Sequence, residues 1–274
     1  MAQHRRVFFI SDRTGLTVEA LGSSLLTQFA GVEFQRITLP FIDTIPKAIA
    51  AVAQVNQTED EVGQRALVFS SIVDDAVREE INKCHGLVLD VFERFIIPLE
   101  GELGEKSTHV VGKSHSAGNS KDYNHRIEAI NYTLSHDDGV TNRELEEADI
   151  ILVGVSRSGK TPTCLYMAMQ FGIKAANYPL IPEDLEANRL PPALLAHKHK
   201  VWGLSIAPER LHQIRSERRP DSKYAALENC RYEVAAAEKL MKRNDIIFLD
   251  STTKSIEEIA THVLHEAHLM RRVY

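Results

Sequence analysis

Residues 150–161, Ile-Ile-Leu-Val-Gly-Val-Ser-Arg-Ser-Gly-Lys-Thr, carry the residue types and spacing that suit phosphate chemistry. An apolar stretch, Ile150 to Val153, reads as a strand that runs into Gly154, four intervening residues, then Gly159, Lys160 and Thr161, after which helical periodicity begins. Glycine at both ends lets such a loop fold back so that several backbone N–H groups point inward, and the following helix adds about half a positive charge at its N-terminus. Lys160 supplies a full positive charge, and the Thr161 hydroxyl is placed to ligate Mg2+. Pro162 suits the first helical turn, where its missing N–H has no partner to lose. The loop Gly154, Val155, Ser156, Arg157, Ser158, Gly159, Lys160 and Thr161 is therefore the expected nucleotide-phosphate cradle. Arg157 and Ser158 form its apex, where they could touch a transferring group; an exposed loop arginine without that role is the plainer account.

Phosphoryl transfer to a hydroxyl also needs a proton acceptor or a carboxylate that orients the hydroxyl. His136-Asp137-Asp138-Gly139, just upstream of the loop, is the best source of one. The same four residues could equally be a glycine-ended turn closing a helix. Asp250, after the apolar run Ile246 to Leu249, sits where an acid could secure Mg2+, or where a helix cap is wanted. Ser11-Asp12-Arg13-Thr14-Gly15 follows another strand and precedes a helix, where it could hold a second anion or only cap the turn. Arg210, Arg215, Arg218 and Arg219 lie on one candidate helix that reads as a solvated face, with docking of a phosphorylated segment as the alternative. His262, His265 and His268 repeat every three residues, a step that drifts around a helix and makes a poor zinc site. Trp202, Met167 and Met169 read as core.

These residues need elements to position them. The first hundred residues alternate strands (7–10, 34–39, 66–69, 86–90) with helices (17–29, 45–55, 74–83), the signature of a parallel sheet with helical crossovers. Between Glu100 and Asn124, Gly101, Gly104, Gly112 and Gly118 are set among Ser, Lys, His and Asn, which predicts a connector or long loop. A helix is expected from Tyr123 to Ser135, and the second half adds strands at 175–178, 201–206 and 246–249 and helices at 208–218, 227–243 and 255–271. The expected class is α/β: a Rossmann-like N-terminal half over 1–105, a connector over 106–122, and a P-loop kinase-like half over 123–274.

Composition limits the function. The chain has 274 residues, 43% hydrophobic and 26% charged, as ordinary globular proteins do. A formal charge of -6 argues against general nucleic-acid binding. Cys84, Cys164 and Cys230 lie far apart, which suits a reduced cytoplasmic protein and excludes a zinc knuckle. The apolar run Val7 to Ile10 is too short for a signal-peptide core or a membrane span.

The blocks Gly154-Val-Ser-Arg-Ser-Gly-Lys-Thr-Pro162, Gly172-Ile-Lys-Ala-Ala-Asn-Tyr-Pro179, His136-Asp-Asp-Gly139, Pro208-Glu-Arg-Leu211 and the terminal Arg271-Arg272-Val273-Tyr274 resemble the bacterial phosphoenolpyruvate synthase regulatory proteins. So do Ile10-Ser11-Asp12-x-Thr14 and Ile37-Thr-Leu-Pro-Phe41, so the similarity spans nearly the whole chain. The regulators of pyruvate phosphate dikinase look related and are the second choice. The resemblance implies a bifunctional enzyme acting on the synthase. As a kinase it would use ADP to phosphorylate a threonine and inactivate the target; as a phosphorylase it would use inorganic phosphate to remove that group as pyrophosphate. The implied cofactors are ADP, inorganic phosphate and Mg2+, with Lys160, Asp137 and Asp138 as catalytic residues and Thr161 on the metal. A small-molecule P-loop kinase and a non-catalytic nucleotide-sensing module are the rival functions, and the sequence leaves assembly state open, a homodimer included.

Overall fold

The computed structural model describes residues 3–108, 120–139, 144–187 and 189–270. The chain divides into two compact units, Met1–Ser116 and Ala117–Tyr274. Residues 109–119 of the expected connector and the terminal Arg271 to Tyr274 lie outside the described residues.

The first unit runs β1 (Gln3–Ser11), α1 (Leu16–Leu26), β2 (Val32–Leu39), α2 (Ile45–Val62), β3 (Leu67–Ser71), α3 (Asp75–Ile81), β4 (Leu87–Asp90) and α4 (Val91–Leu103). Its sheet is parallel throughout, in the order β2-β1-β3-β4. Side chains alternate across a strand, so a strand covered on both faces must be apolar at every position. Val7 to Ile10 obeys this: Phe8 and Ile10 face a core with Ala48, Val55 and Ile81, whereas Val7 and Phe9 face one with Val18 and Leu26.

Helix α4 departs from the sequence expectation, which has no helix there. Asp90 caps its start by accepting from the Glu93 N–H at 2.8 Å, and Gly104, at φ 66, ends it in the left-handed region. Between these caps no residue is fully buried, and Phe95, Ile97, Leu99 and Leu103 are each more than half exposed. With Pro98 and Gly101 inside it, the segment lacks the ordinary composition of a core helix.

The second unit runs α5 (Ser120–Ser135), a 3₁₀ turn (Leu145–Glu147), β5 (Ile150–Gly154), α6 (Lys160–Phe171), β6 (Ala175–Pro179), α7 (Pro182–Ala187), α8 (Pro192–Leu195), a 3₁₀ turn (Lys198–Lys200), β7 (Val201–Ser205), α9 (Pro208–Arg218), α10 (Leu227–Arg243), β8 (Phe248–Asp250) and α11 (Ile256–Glu266). Its sheet is again all parallel, ordered β6-β5-β7-β8. Ile150 and Leu152 pack with Met167 of α6 and Val263 of α11 on one face. Ile151 and Val153 pack with Leu211 of α9 and Val234 of α10 on the other. The strand order reverses between β5 and β7, the topological switch point where parallel sheets open a crevice beyond their carboxyl ends.

The α/β class is therefore as the sequence indicates. Helices α7 and α8, of six and four residues, are too short to show periodicity. Met169 is 53% exposed rather than core, and α11 ends at Glu266 rather than continuing to 271.

Candidate functional site

The loop after β5 leaves the sheet at the switch point. Gly154 is required there by close approach: a Cβ on it would lie 2.3 Å from the Leu204 carbonyl oxygen of β7. Arg157 at φ 76 and Gly159 at φ 93 turn the chain back into α6. A left-handed arginine stores local strain of about 1–3 kcal/mol, and such strain concentrates where ligands are held.

Lys160 opens α6 yet is only 4% exposed, and its Nζ donates to the Val155 carbonyl at 2.9 Å. Burial pushes its ammonium pKa down to about 8, against the opposing pull of Asp138 and Asp137. In the same loop, the buried Ser158 hydroxyl has no hydrogen-bond partner among the described residues. Asp138, Ser156, Arg157, Gly159, Lys160, Thr161 and Pro162 line a cavity of about 210 Å³.

The carboxylates reach this loop from α5. The helix closes at His136, whose ring stacks 3.9 Å from that of Tyr132 and whose Nδ1 contacts the Tyr132 carbonyl at 2.8 Å. The following turn then docks along β6: the Asn177 N–H donates to the His136 carbonyl at 3.0 Å, and the Gly139 N–H to the Asn177 carbonyl at 3.1 Å. Its residues Asp138 and Gly139 are left-handed, at φ 50 and 68. The helix-ending turn weighed in the sequence is present, and it places both carboxylates near the loop.

Asp137 and Asp138 differ in their surroundings. Asp137 Oδ1 accepts from the Thr161 hydroxyl at 2.8 Å and from the Asn177 amide at 2.6 Å. The same amide nitrogen lies 2.8 Å from Thr161 Oγ1 and only 3.3 Å from Asp138 Oδ1. Asp138 is exposed and lines the cavity beside Lys160. Asn177 is the junction of the cluster, 3% exposed, and its own Oδ1 has no partner among the described residues. Sequence reasoning missed it, although one polar residue in a buried strand, Ala175-Ala176-Asn177, is the signal that could have found it.

Two further groups hold the loop from outside. Ser251 donates to the Ser158 carbonyl at 3.0 Å and to that of Ser205 at 2.9 Å. Arg215, expected on a solvated face, is instead fully buried and donates to the Ser156 carbonyl at 3.1 Å. Arg210, Arg218 and Arg219 of the same stretch are exposed. Asp250 is exposed at the end of β8 and is engaged with the N–H of Thr252, at 2.9 Å, and with its hydroxyl; it does not line the cavity. In the first unit, Asp12 is buried, accepts from the Val73 N–H at 3.1 Å, and has its pKa raised by that burial. His262, His265 and His268 are exposed.

A family model described as kinase/pyrophosphorylase matches residues 7–264, all but the two ends of the chain. The chain belongs to the kinase/pyrophosphorylase family. Within this family it is similar to proteins named phosphoenolpyruvate synthase regulatory protein. That of Aromatoleum aromaticum is 56% identical over 271 residues, that of Azoarcus sp. 57% over 271 and that of Burkholderia multivorans 54% over 268, each match covering 98% of both chains. Among the described residues no helix is long and apolar enough to cross a membrane.

A buried ammonium, a partnerless buried hydroxyl and a glycine-bounded turn fit the phosphates of a nucleotide, and the Thr161 hydroxyl beside the Asp137 carboxylate fits a hard, oxygen-seeking cation such as Mg2+. The family assignment and this fit agree on phosphoryl chemistry.

Proposed function

We propose that this kinase/pyrophosphorylase regulates phosphoenolpyruvate synthase in both directions, phosphorylating a threonine of the synthase with ADP and removing that group with inorganic phosphate. The observation that carries the reading is the convergence of Lys160, Thr161 and Asp138 on a single cavity of about 210 Å³, with Asp137 bound to the Thr161 hydroxyl at 2.8 Å. Small-molecule pockets span about 300–1,000 Å³, so this volume suits phosphoryl groups alone, with the nucleoside lying outside it.

In the kinase direction the threonine oxygen attacks the β-phosphorus of ADP, the bond from that phosphorus to the bridging oxygen breaks, and AMP leaves. The hydroxyl proton passes to Asp138, the cavity-lining carboxylate held by the Asn177 amide at 3.3 Å. In the other direction an oxygen of inorganic phosphate attacks the phosphothreonine phosphorus, the bond from that phosphorus to the threonine oxygen breaks, pyrophosphate leaves, and Asp138 returns a proton to the threonine oxygen. Lys160 balances the charge of the phosphate oxygens in both directions, and its burial strengthens that interaction because little water competes. Thr161 and Asp137 would hold Mg2+, which when bound supplies further charge neutralisation on the phosphates. One cradle serves both reactions, since the seat for the β-phosphate of ADP can seat free phosphate.

The deciding experiment incubates the purified chain with ADP, Mg2+ and phosphoenolpyruvate synthase and maps phosphothreonine by mass spectrometry. Inorganic phosphate is then added and pyrophosphate release measured, with pyruvate phosphate dikinase as a parallel target. Absence of phosphothreonine with ADP refutes the proposal, and ATP turnover with no protein substrate would replace it with a small-molecule kinase.

A further inference from the structure

Among the described residues Arg215 is the largest fully buried side chain, at 0% exposure, on a helix whose other arginines face solvent. Its Nη2 donates both to the Ser156 carbonyl at 3.1 Å and to the Glu233 carboxylate at 2.6 Å. Its Nη1 donates to the Tyr224 carbonyl at 3.0 Å, and the guanidinium carbon lies 4.1 Å from the Tyr224 ring centroid. The Tyr224 hydroxyl in turn meets the Ser156 hydroxyl at 3.0 Å. Ser156 is thus gripped through both backbone and side chain, one residue before the left-handed Arg157.

Stability is a poor explanation for this arrangement. Burying an ion pair costs desolvation that its attraction rarely exceeds, and a well-packed apolar pair often serves a fold as well. An apolar pair could not anchor a carbonyl of the loop. We propose that Arg215 is a positioning residue: with Glu233 and Tyr224 it sets Ser156 so that the loop is shaped for an anion before one arrives. The gain is preorganisation, since a loop ordered only on binding gives up affinity to its own ordering. This rests on reading 154–161 as a phosphate cradle.

The test separates packing from positioning by calorimetric titration of inorganic phosphate and of ADP with Mg2+, alongside thermal melting. Arg215→Met alone should melt early, because Glu233, 15% exposed, keeps its charge without its ion-pair partner. Arg215→Met with Glu233→Met should recover the melting temperature yet bind both ligands about tenfold more weakly, the loss of one charge-assisted anchor. Tyr224→Phe, which removes one half-buried hydroxyl, should melt as wild type and bind phosphate about threefold more weakly. A double variant that regains wild-type affinity along with its melting temperature overturns the proposal. If the double variant fails to fold, Tyr224→Phe decides, and unchanged phosphate affinity overturns it. A wild-type chain that binds neither ligand removes the cradle reading and this proposal together, whereas binding without transfer to the synthase defeats only the catalytic reading.

Discussion

Replacing Lys160 with methionine should abolish phosphoryl transfer while making the unliganded chain more stable. The ordinary lysine value is 10.5 and burial brings Lys160 down to about 8, a difference corresponding to about 3 kcal/mol against the charged form in the folded state. Methionine matches the length of the buried stem and carries no charge, but it forfeits the 2.9 Å bond to the Val155 carbonyl, a loss of about 1 kcal/mol. The net expectation at pH 7 is a gain of about 2 kcal/mol, or about 4–8 °C in melting temperature for a domain of this size. The sign with pH follows from proton binding. Between pH 8 and 10.5 the unfolded lysine keeps its proton and the folded one does not, so wild-type stability rises with pH across that window. The gap between variant and wild type is therefore full below pH 8, closes at about pH 9.5, and by pH 10.5 is reversed by about 1 kcal/mol. Differential scanning calorimetry at pH 7 and pH 9.5, with and without ADP and Mg2+, checks each part. Ligand should raise the melting point of wild type and leave the variant unmoved. A variant that melts below wild type at pH 7, or a gap that ignores pH, would refute the account of Lys160 as a charge kept in an unfavourable place for its ligand.

Four other outcomes follow from the same geometry. Asp138→Asn should cut threonine phosphorylation at saturating ADP by about a hundredfold or more while leaving ADP affinity near wild type, as measured by initial rates and titration. Asp137→Asn should instead raise the Mg2+ concentration needed for half-maximal rate, and near-wild-type behaviour of both variants would reduce this segment to a turn. Phosphate affinity should fall as pH rises through about 8, with proton uptake on binding visible by calorimetry in buffers of different ionisation enthalpy. Asn177→Ala, which frees Asp137 from its 2.6 Å partner, should weaken Mg2+ activation with less effect on the KM for the protein substrate; an unchanged Mg2+ dependence contradicts its role as the junction.

What was legible in the sequence depended on how local its cause was. The strand-loop-helix at 150–171 carries its own glycines, lysine and apolar run, and both sheets could be traced from runs such as Val7 to Ile10 that are apolar on every face. Asp137 and Asp138 were visible as residue types, but nothing near them in sequence says that β6 will hold their turn against Thr161. Arg215 was misjudged because three- and four-residue arginine spacing looks like a solvated face, and its burial is decided by Glu233 and Tyr224, which belong to later segments. Helix α4 went unseen because it sends no side chain fully into the core and so leaves no periodic stripe, although its caps, Asp90 and Gly104, were there to be read.

The separation along the chain of the groups that hold the loop has a consequence for synthesis. A polypeptide emerges from its N-terminus, so residues 154–161 leave the ribosome with Asp137 already made but long before their outer supports. Arg215 lies 59 positions beyond the Ser156 it anchors, and Ser251 lies 93 beyond Ser158. Strand β5 can pair with β6 early, yet the strand on its other side, β7, begins only at Val201. Contacts this distant form late, because the intervening chain must be closed before they contribute. Nascent chains arrested short of residue 251 should therefore carry the entire glycine-lysine motif and still retain little nucleotide. Competence for phosphate therefore waits on supports made up to 93 positions after the loop, not on the loop's own residues.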